Sequence, residues 1–128
     1  MAHKIHDIGA ASQIDKYSDA VEAAPNIRWR HTSGTPGLMA AKALPKDTTG
    51  QSELAWEQVM RLLRDAGMGV EDIVKVNQYL TRAGDIADYA KVRSKFLGEA
   101  RPASLLLVVP QLVWPEILVE VEVIAANA

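Results

Sequence analysis

The chain has 128 residues, 14 basic against 16 acidic side chains for a net charge of −2, and no cysteine. That length suits one domain, expected over residues 1–128, able to bury roughly two thirds of its unfolded surface without staples. The missing cysteines exclude disulfides, thiolate catalysis and thiolate-bound metal and fit a reducing cytoplasm, and the near balance of charge, with no block of one sign, argues against a nucleic-acid partner.

The first residues hold no basic segment leading into an apolar one, and no run approaches the ~18 apolar residues of a membrane span, so the expectation is a soluble cytoplasmic protein with no membrane partner. Residues 4–8 alternate like a short strand. Residues 9–15 are loop-like, residues 17–23 extended, and Pro25 with Asn26 makes a turn. Residues 27–33 alternate again, setting Ile27, Trp29, His31 and Ser33 on one side and Arg28, Arg30 and Thr32 on the other.

After a loop over residues 38–50, with Asp47, Thr48 and Thr49 as capping candidates, residues 52–66 form the clearest helix. Ala55, Val59, Leu62, Leu63 and Ala66 share one stripe, and Gly67 suits the position just past the end. Residues 73–81, rich in β-branched and aromatic side chains, read as a strand. Residues 86–97 follow as a second helix, with Ile86, Tyr89, Ala90, Arg93, Phe96 and Leu97 inward. Residues 101–126 then read as a hairpin of two apolar strands around a loop with Pro110, Trp114 and Pro115.

This order describes an α+β layer in which two helices cover one face of a mixed sheet. The continuously apolar run 103–109 should be dry on both sides, so the second face is expected to be covered by other copies of the chain. Pairing Val109 with Ile117 in the hairpin would put Ser104, Leu106 and Val108 on one face with Leu118, Glu120 and Glu122.

Two carboxylates in an apolar strand need a reason, since an unpaired buried charge costs several kcal/mol. Glu120 and Glu122 are either solvated at the rim of an interface or held where a low dielectric raises their pKa for proton transfer. His3 and His6 would point to opposite faces of a strand, which argues against a metal site. His31 reads as a hydrogen-bonded core or interface histidine more readily than as a base. Arg28 and Arg30 are either solvated strand charges or an anion site. Trp114 is either a loop anchor or a wall against a planar ligand.

Several segments resemble the reactive intermediate deaminase (Rid, or YjgF) family. They are Tyr17 and Ser18 followed by Ala20 and Val21, the run Thr32 to Gly34, Asp65 to Gly67, and Asp72 with Val74 to Val76 ahead of Tyr79 and Leu80. The most specific is the C-terminal signature, here Pro102 and Ala103, an apolar run, then Val119, Glu120 and Val121. The resemblance implies a chorismate-mutase-like fold in a homotrimer, with sheets lining a central barrel and sites in the clefts between subunits. It also implies hydrolysis of reactive enamines or imines, such as 2-aminoacrylate, to ketoacids and ammonia with no cofactor and no metal.

In that family a signature arginine grips the substrate carboxylate, a glutamate orients or protonates water, and the early tyrosine and the Thr-Ser-Gly segment line the pocket. Tyr17, Ser33 and Glu120 keep those types. Ser104 stands in place of the arginine, and Ala90 where deaminating members often have asparagine. The missing bidentate contact, worth roughly 1.5–3 kcal/mol, argues against standard 2-imino-acid hydrolysis.

The expectation is a divergent enzyme acting on a small nitrogen-containing metabolite: an enamine, imine, amine or hydroxylamine, with an aromatic-compound pathway as one context. Its chemistry would be hydrolytic deamination or a lyase or rearrangement step. Glu120 would move protons, and the pocket would combine Tyr17, Ser33, Ser104 and Trp114 with an arginine drawn from Arg28, Arg30 and Arg93. The alternative is a non-catalytic trimeric metabolite-binding or regulatory module. Ribonuclease activity, a third option, fits the charge balance poorly.

Overall fold

Asp47 sets the start of the first helix. In a computed structural model describing residues 3–128, its side chain accepts from Gly50 N at 2.7 Å, a cap worth about 1 kcal/mol, and α1 runs over Thr48–Arg64, four residues earlier than the periodicity predicts. The extra turn brings in two polar residues that are buried for a purpose. Thr48 Oγ1 donates to Asp85 Oδ2 at 2.6 Å, and Gln51 ties two loops together. Gly67, at φ +71°, follows the helix where a side chain would strain the left-handed turn.

The strands are β1 (Lys4–His6), β2 (Ala20–Glu22), β3 (Arg28–His31), β4 (Thr35–Pro36), β5 (Ile73–Leu80), β6 (Ala103–Val108) and β7 (Val119–Asn127), with α2 over Ile86–Leu97. β1 and β2 pair by themselves. The main sheet has the order β3-β7-β5-β6, with β4 also on β7. β5 and β6 run parallel through the α2 crossover, and β7 is antiparallel to β5.

This overturns the expected hairpin: β6 and β7 do not pair, because β5 lies between them. The parallel crossover spends one edge of β5 on β6 and leaves the other for β7. The predicted faces change with it. Ser104 is in register with Val76, and Val76 with Val123, so Ser104 joins the helix side, opposite Glu120 and Glu122.

Both helices cover that one face. The core joins Ala55, Trp56, Val59 and Leu63 of α1, Tyr89, Val92 and Leu97 of α2, and Val76, Leu80, Val119, Val121 and Val123 of the sheet. Trp56, fully buried and stacked on Phe96 with ring centroids 6.1 Å apart, and Val92 are core residues that the stripes leave out. Ile86, expected inward, is exposed instead. On the other face Leu105 and Leu107 remain 41% and 44% exposed and Trp29 50%, so none of the described residues covers that surface. Among the described residues no helix is long and apolar enough to cross a membrane.

Candidate functional site

Period two in β7 sends Val119, Val121 and Val123 into the core and Glu120, Glu122 and Ile124 to the outer face. Register puts Glu120 between Tyr79 of β5 and Pro36 of β4. Gly34 packs against it so closely that a Cβ there would lie 3.0 Å from Glu120 Oε2. Burial raises the Glu120 pKa above the ordinary carboxylate value, and the neighbouring charge of Glu122 adds to the rise. Glu122 differs in accepting a hydrogen bond from Asn77 Nδ2 at 2.8 Å. Asn77 Oδ1, also buried, has no partner among the described residues.

A second group of candidates meets on the helix side, at the β6 edge. Ser18 N donates to Pro102 O at 3.2 Å and so holds Tyr17 beside β6. Tyr17, Asp15, Arg93 and Ser104 line a cavity of about 370 Å³ there. Behind it lies Gln78, completely buried. Its Nε2 donates to Ser104 Oγ and Leu105 O, both at 2.9 Å, and its Oε1 accepts from Tyr89 OH at 2.6 Å and Arg93 Nη1 at 3.1 Å. Trp56 Nε1 donates to the Tyr89 oxygen at 3.3 Å. Burial pushes the Tyr89 pKa far above its ordinary value, so the phenol stays protonated and serves as a donor. Arg93 Nη2 is ion-paired with Asp15.

Trp114 belongs to a third place. It lines a cavity of about 580 Å³ with Leu44, Pro45, Lys46, Arg82 and Leu118. Leu118 continues the β7 ladder, its carbonyl accepting from Thr81 N at 3.2 Å. Alternation then puts its side chain on the Glu120 face, about 7 Å along the strand.

The remaining candidates are dispersed. Ser33 is exposed in the turn between β3 and β4, next to Gly34, and its carbonyl accepts from Thr35 Oγ1 at 3.0 Å. Arg28 Nη2 donates to Ala66 O at 3.0 Å and Asn127 Oδ1 at 2.7 Å, a contact that ties β3 to the end of α1. Arg30 is in register with Ala125 on the helix side. His31 lies on the outer face beside Trp29, ring centroids 6.3 Å apart.

His3 Nε2 lies 3.0 Å from Asp72 O and His6 Nε2 3.1 Å from Glu22 Oε1. Among the described residues no three His, Asp or Glu side chains converge as a metal site. Of the three arginines proposed from sequence, only Arg93 reaches a cavity with other candidates. Gln78, Lys46 and Arg82 went unnoticed. Gln78 alternates with Val76 and Leu80, and an amide on that otherwise apolar face of β5 was a readable signal; the two cations sit in loops with no pattern to mark them.

Residues 8–127 match the family described as Endoribonuclease L-PSP. The chain belongs to the Rid (YjgF) family. It is 32% identical to a RutC family protein of Pyrococcus horikoshii over 98% of both chains. It is also 34% identical to a RutC family protein of Pyrococcus abyssi, where the match spans 62% of this chain and 61% of that one.

Among solved structures it superposes on the Rid protein YyfB of Yersinia pestis with a TM-score of 0.86, at 23% identity over 99% of this chain and 100% of that one. RidA of an Antarctic Psychrobacter superposes at 0.73, with 28% identity over 89% and 90%. Rid proteins are in general enamine- or imine-deaminase-like or bind small molecules. In this Rid chain the glutamate and the Thr-Ser-Gly segment come together at Gly34, while the tyrosine and the position of the missing arginine lie on the other side of the sheet.

Proposed function

We propose that this Rid protein is a cofactor-free enzyme acting on a small nitrogen-containing metabolite, with Glu120 as its proton carrier. The observation that carries this reading is the Glu120 carboxyl, packed against Gly34 and partly desolvated on the outer sheet face, and poised to exchange a proton nearer neutrality than an ordinary glutamate. In a hydrolytic cycle on an imine, Glu120 takes a proton from water as the water oxygen bonds to the C=N carbon. It gives that proton to nitrogen, forming a carbinolamine, and then carries the proton of the new hydroxyl to the same nitrogen as the C–N bond breaks, releasing ammonia and leaving a carbonyl. An enamine would first be protonated at carbon by the same group.

One chain holds two half-sites: Glu120 with Ser33 and Gly34 on the outer face, and Tyr17 with Ser104 and Arg93 at the β6 edge. A homotrimer that buries Leu105, Leu107 and Trp29 would bring a half from each of two neighbours into one cleft. Arg93 supplies the cation in the second half from α2, where Ser104 supplies none, and its pairing with Asp15 weakens its hold on an acid.

That pairing favours one other reading, a trimer that binds a metabolite without turning it over. Glu120→Gln in an assay that generates imines in situ decides between them. Loss of turnover by roughly a hundredfold or more is the expected result for a proton carrier. Turnover within a fewfold of the parent rules out the role. No turnover by the parent, with a metabolite that raises its melting temperature unconsumed, establishes the binder.

A further inference from the structure

The cavity beside Trp114 carries more than a loop anchor requires. Its apolar wall is Leu44, Pro45, Trp114 and Leu118, and its polar rim is Lys46, Arg82 and Glu116. At about 580 Å³ it lies within the range of small-molecule sites. Its walls are fastened from behind by Gln51, which is buried. Gln51 Nε2 donates to Pro45 O at 2.8 Å and Glu116 O at 3.0 Å, and its Oε1 accepts from Leu118 N at 2.8 Å. One side chain thus sets the positions of both loops and of the strand entry, so the cavity is formed before any ligand arrives.

Arg82 is fastened as well. Its Nε donates to Asp85 Oδ2 at 2.7 Å and its Nη2 to Thr48 Oγ1 at 3.2 Å, while the Thr48 hydroxyl donates to the same Asp85 oxygen. Those bonds orient the guanidinium and leave other N–H donors uncommitted. Among the described residues Lys46 has no ion pair or hydrogen bond of its own. A planar indole with two cations at its rim matches a flat anion, since the ring stacks and the carboxylate is gripped. Glu116 sets the limit, because a second carboxylate on the ligand would meet it.

We infer that this cavity recognises a planar monocarboxylate, the ring against Trp114 and the acid group on Arg82 and Lys46, which take over the anchoring that Ser104 cannot provide. The inference rests on the reading that chemistry occurs at the Glu120 face, to which Leu118 connects the cavity. It adds the specificity: an aromatic or conjugated acid rather than a small aliphatic one.

The test is calorimetric titration of the full-length protein with indole-3-carboxylate, its uncharged carboxamide and cyclohexanecarboxylate. The indole acid should bind, with the carboxamide and the saturated acid each weaker by roughly tenfold or more. Arg82→Gln should weaken the acid by a similar factor and leave the carboxamide unchanged. Because Arg82 also contacts Asp85 and Thr48, Lys46→Gln serves as the second variant, with a loss of roughly threefold or more for the acid alone. Equal binding of acid and carboxamide, no binding of the acid, or indifference of the acid to both substitutions overturns the inference. If the acid binds as described but the protein turns over no imine, the pocket stands and the catalytic reading falls. If turnover depends on Glu120 while acid and carboxamide bind alike, the reverse holds.

Discussion

The side-chain amide of Gln78 donates to Ser104 Oγ at 2.9 Å, which settles the direction of the serine hydroxyl. Tyr89, protonated and itself accepting from Trp56, donates to Gln78 Oε1, so the amide cannot be turned around. Ser104 therefore accepts from behind and has its own O–H to give to the Tyr17 cavity. The β6 half-site offers donors from Ser104 and Arg93.

Gln78→Leu keeps the volume and removes the bonds that the amide makes to Ser104, Leu105 O, Tyr89 and Arg93. Tyr89 would lose its acceptor in a dry core, Ser104 a donor at the cavity wall and Arg93 one of two partners, for a cost of about 3 kcal/mol. Urea unfolding measures it, and a loss below about 1 kcal/mol would mean that the network relaxes without the amide.

Restoring the family arginine should fail by itself. In Ser104→Arg a second guanidinium enters the cavity that Arg93 already lines, with Asp15 the only carboxylate among the lining residues. The melting temperature should drop, and adding Arg93→Ser should recover most of it. A double-mutant cycle should report a coupling above about 1 kcal/mol; additive losses would show that the two positions do not share the space.

The raised Glu120 pKa predicts how stability depends on pH. The folded state holds the proton to higher pH than the unfolded state, whose value is near 4.5, so it binds more protons in the window above 4.5 and stability declines as pH rises through it. Glu120→Gln should flatten that decline and raise the melting temperature at pH 7, with little effect below pH 4.5. A parallel pH profile in parent and variant would place the carboxylate in ordinary solvent.

Gly37→Ala tests the footing of α1. The added Cβ would sit 2.3 Å from Gln51 O and 2.9 Å from its Cα, both backbone atoms that cannot swing aside. A loss of about 2 kcal/mol or more in chemical unfolding is expected. The same substitution should weaken ligand binding at Trp114, because Gln51 positions that cavity.

Leu105→Glu and Leu107→Glu together place two charges on the uncovered sheet face. If the proposed trimer buries this face, sedimentation should show single chains in place of the trimer of the parent, with the helical circular dichroism kept. An unchanged sedimentation coefficient would locate the contact between copies elsewhere.

Much of this fold follows from local pattern. The α1 stripe, its Asp47 cap and the Gly67 stop are all set by residues within one turn of each other, which is why they can be read along the chain. The pairing of β6 with β5 is not local. The loop between β6 and β7 is short enough for a hairpin, and nothing in it tells that β5 has taken the place between them. With β5 between the two strands, Ser104 and Glu120 face opposite sides of the sheet instead of sharing one. Glu120 was legible because a carboxylate in an apolar strand is costly; Arg82 was not, because a solvated loop arginine is ordinary until Asp85 and Thr48 are seen to hold it.

The opposite facing of Ser104 and Glu120 also has a genetic meaning. If each cleft draws one half from each of two neighbours, then defects in the two halves belong to different complementation groups within one gene. Mixed trimers of a Glu120→Gln chain and a chain disabled at Arg93 would contain clefts in which both contributed halves are intact, about one in four for random mixing. Two alleles, each silent when alone, would together restore a measurable fraction of function.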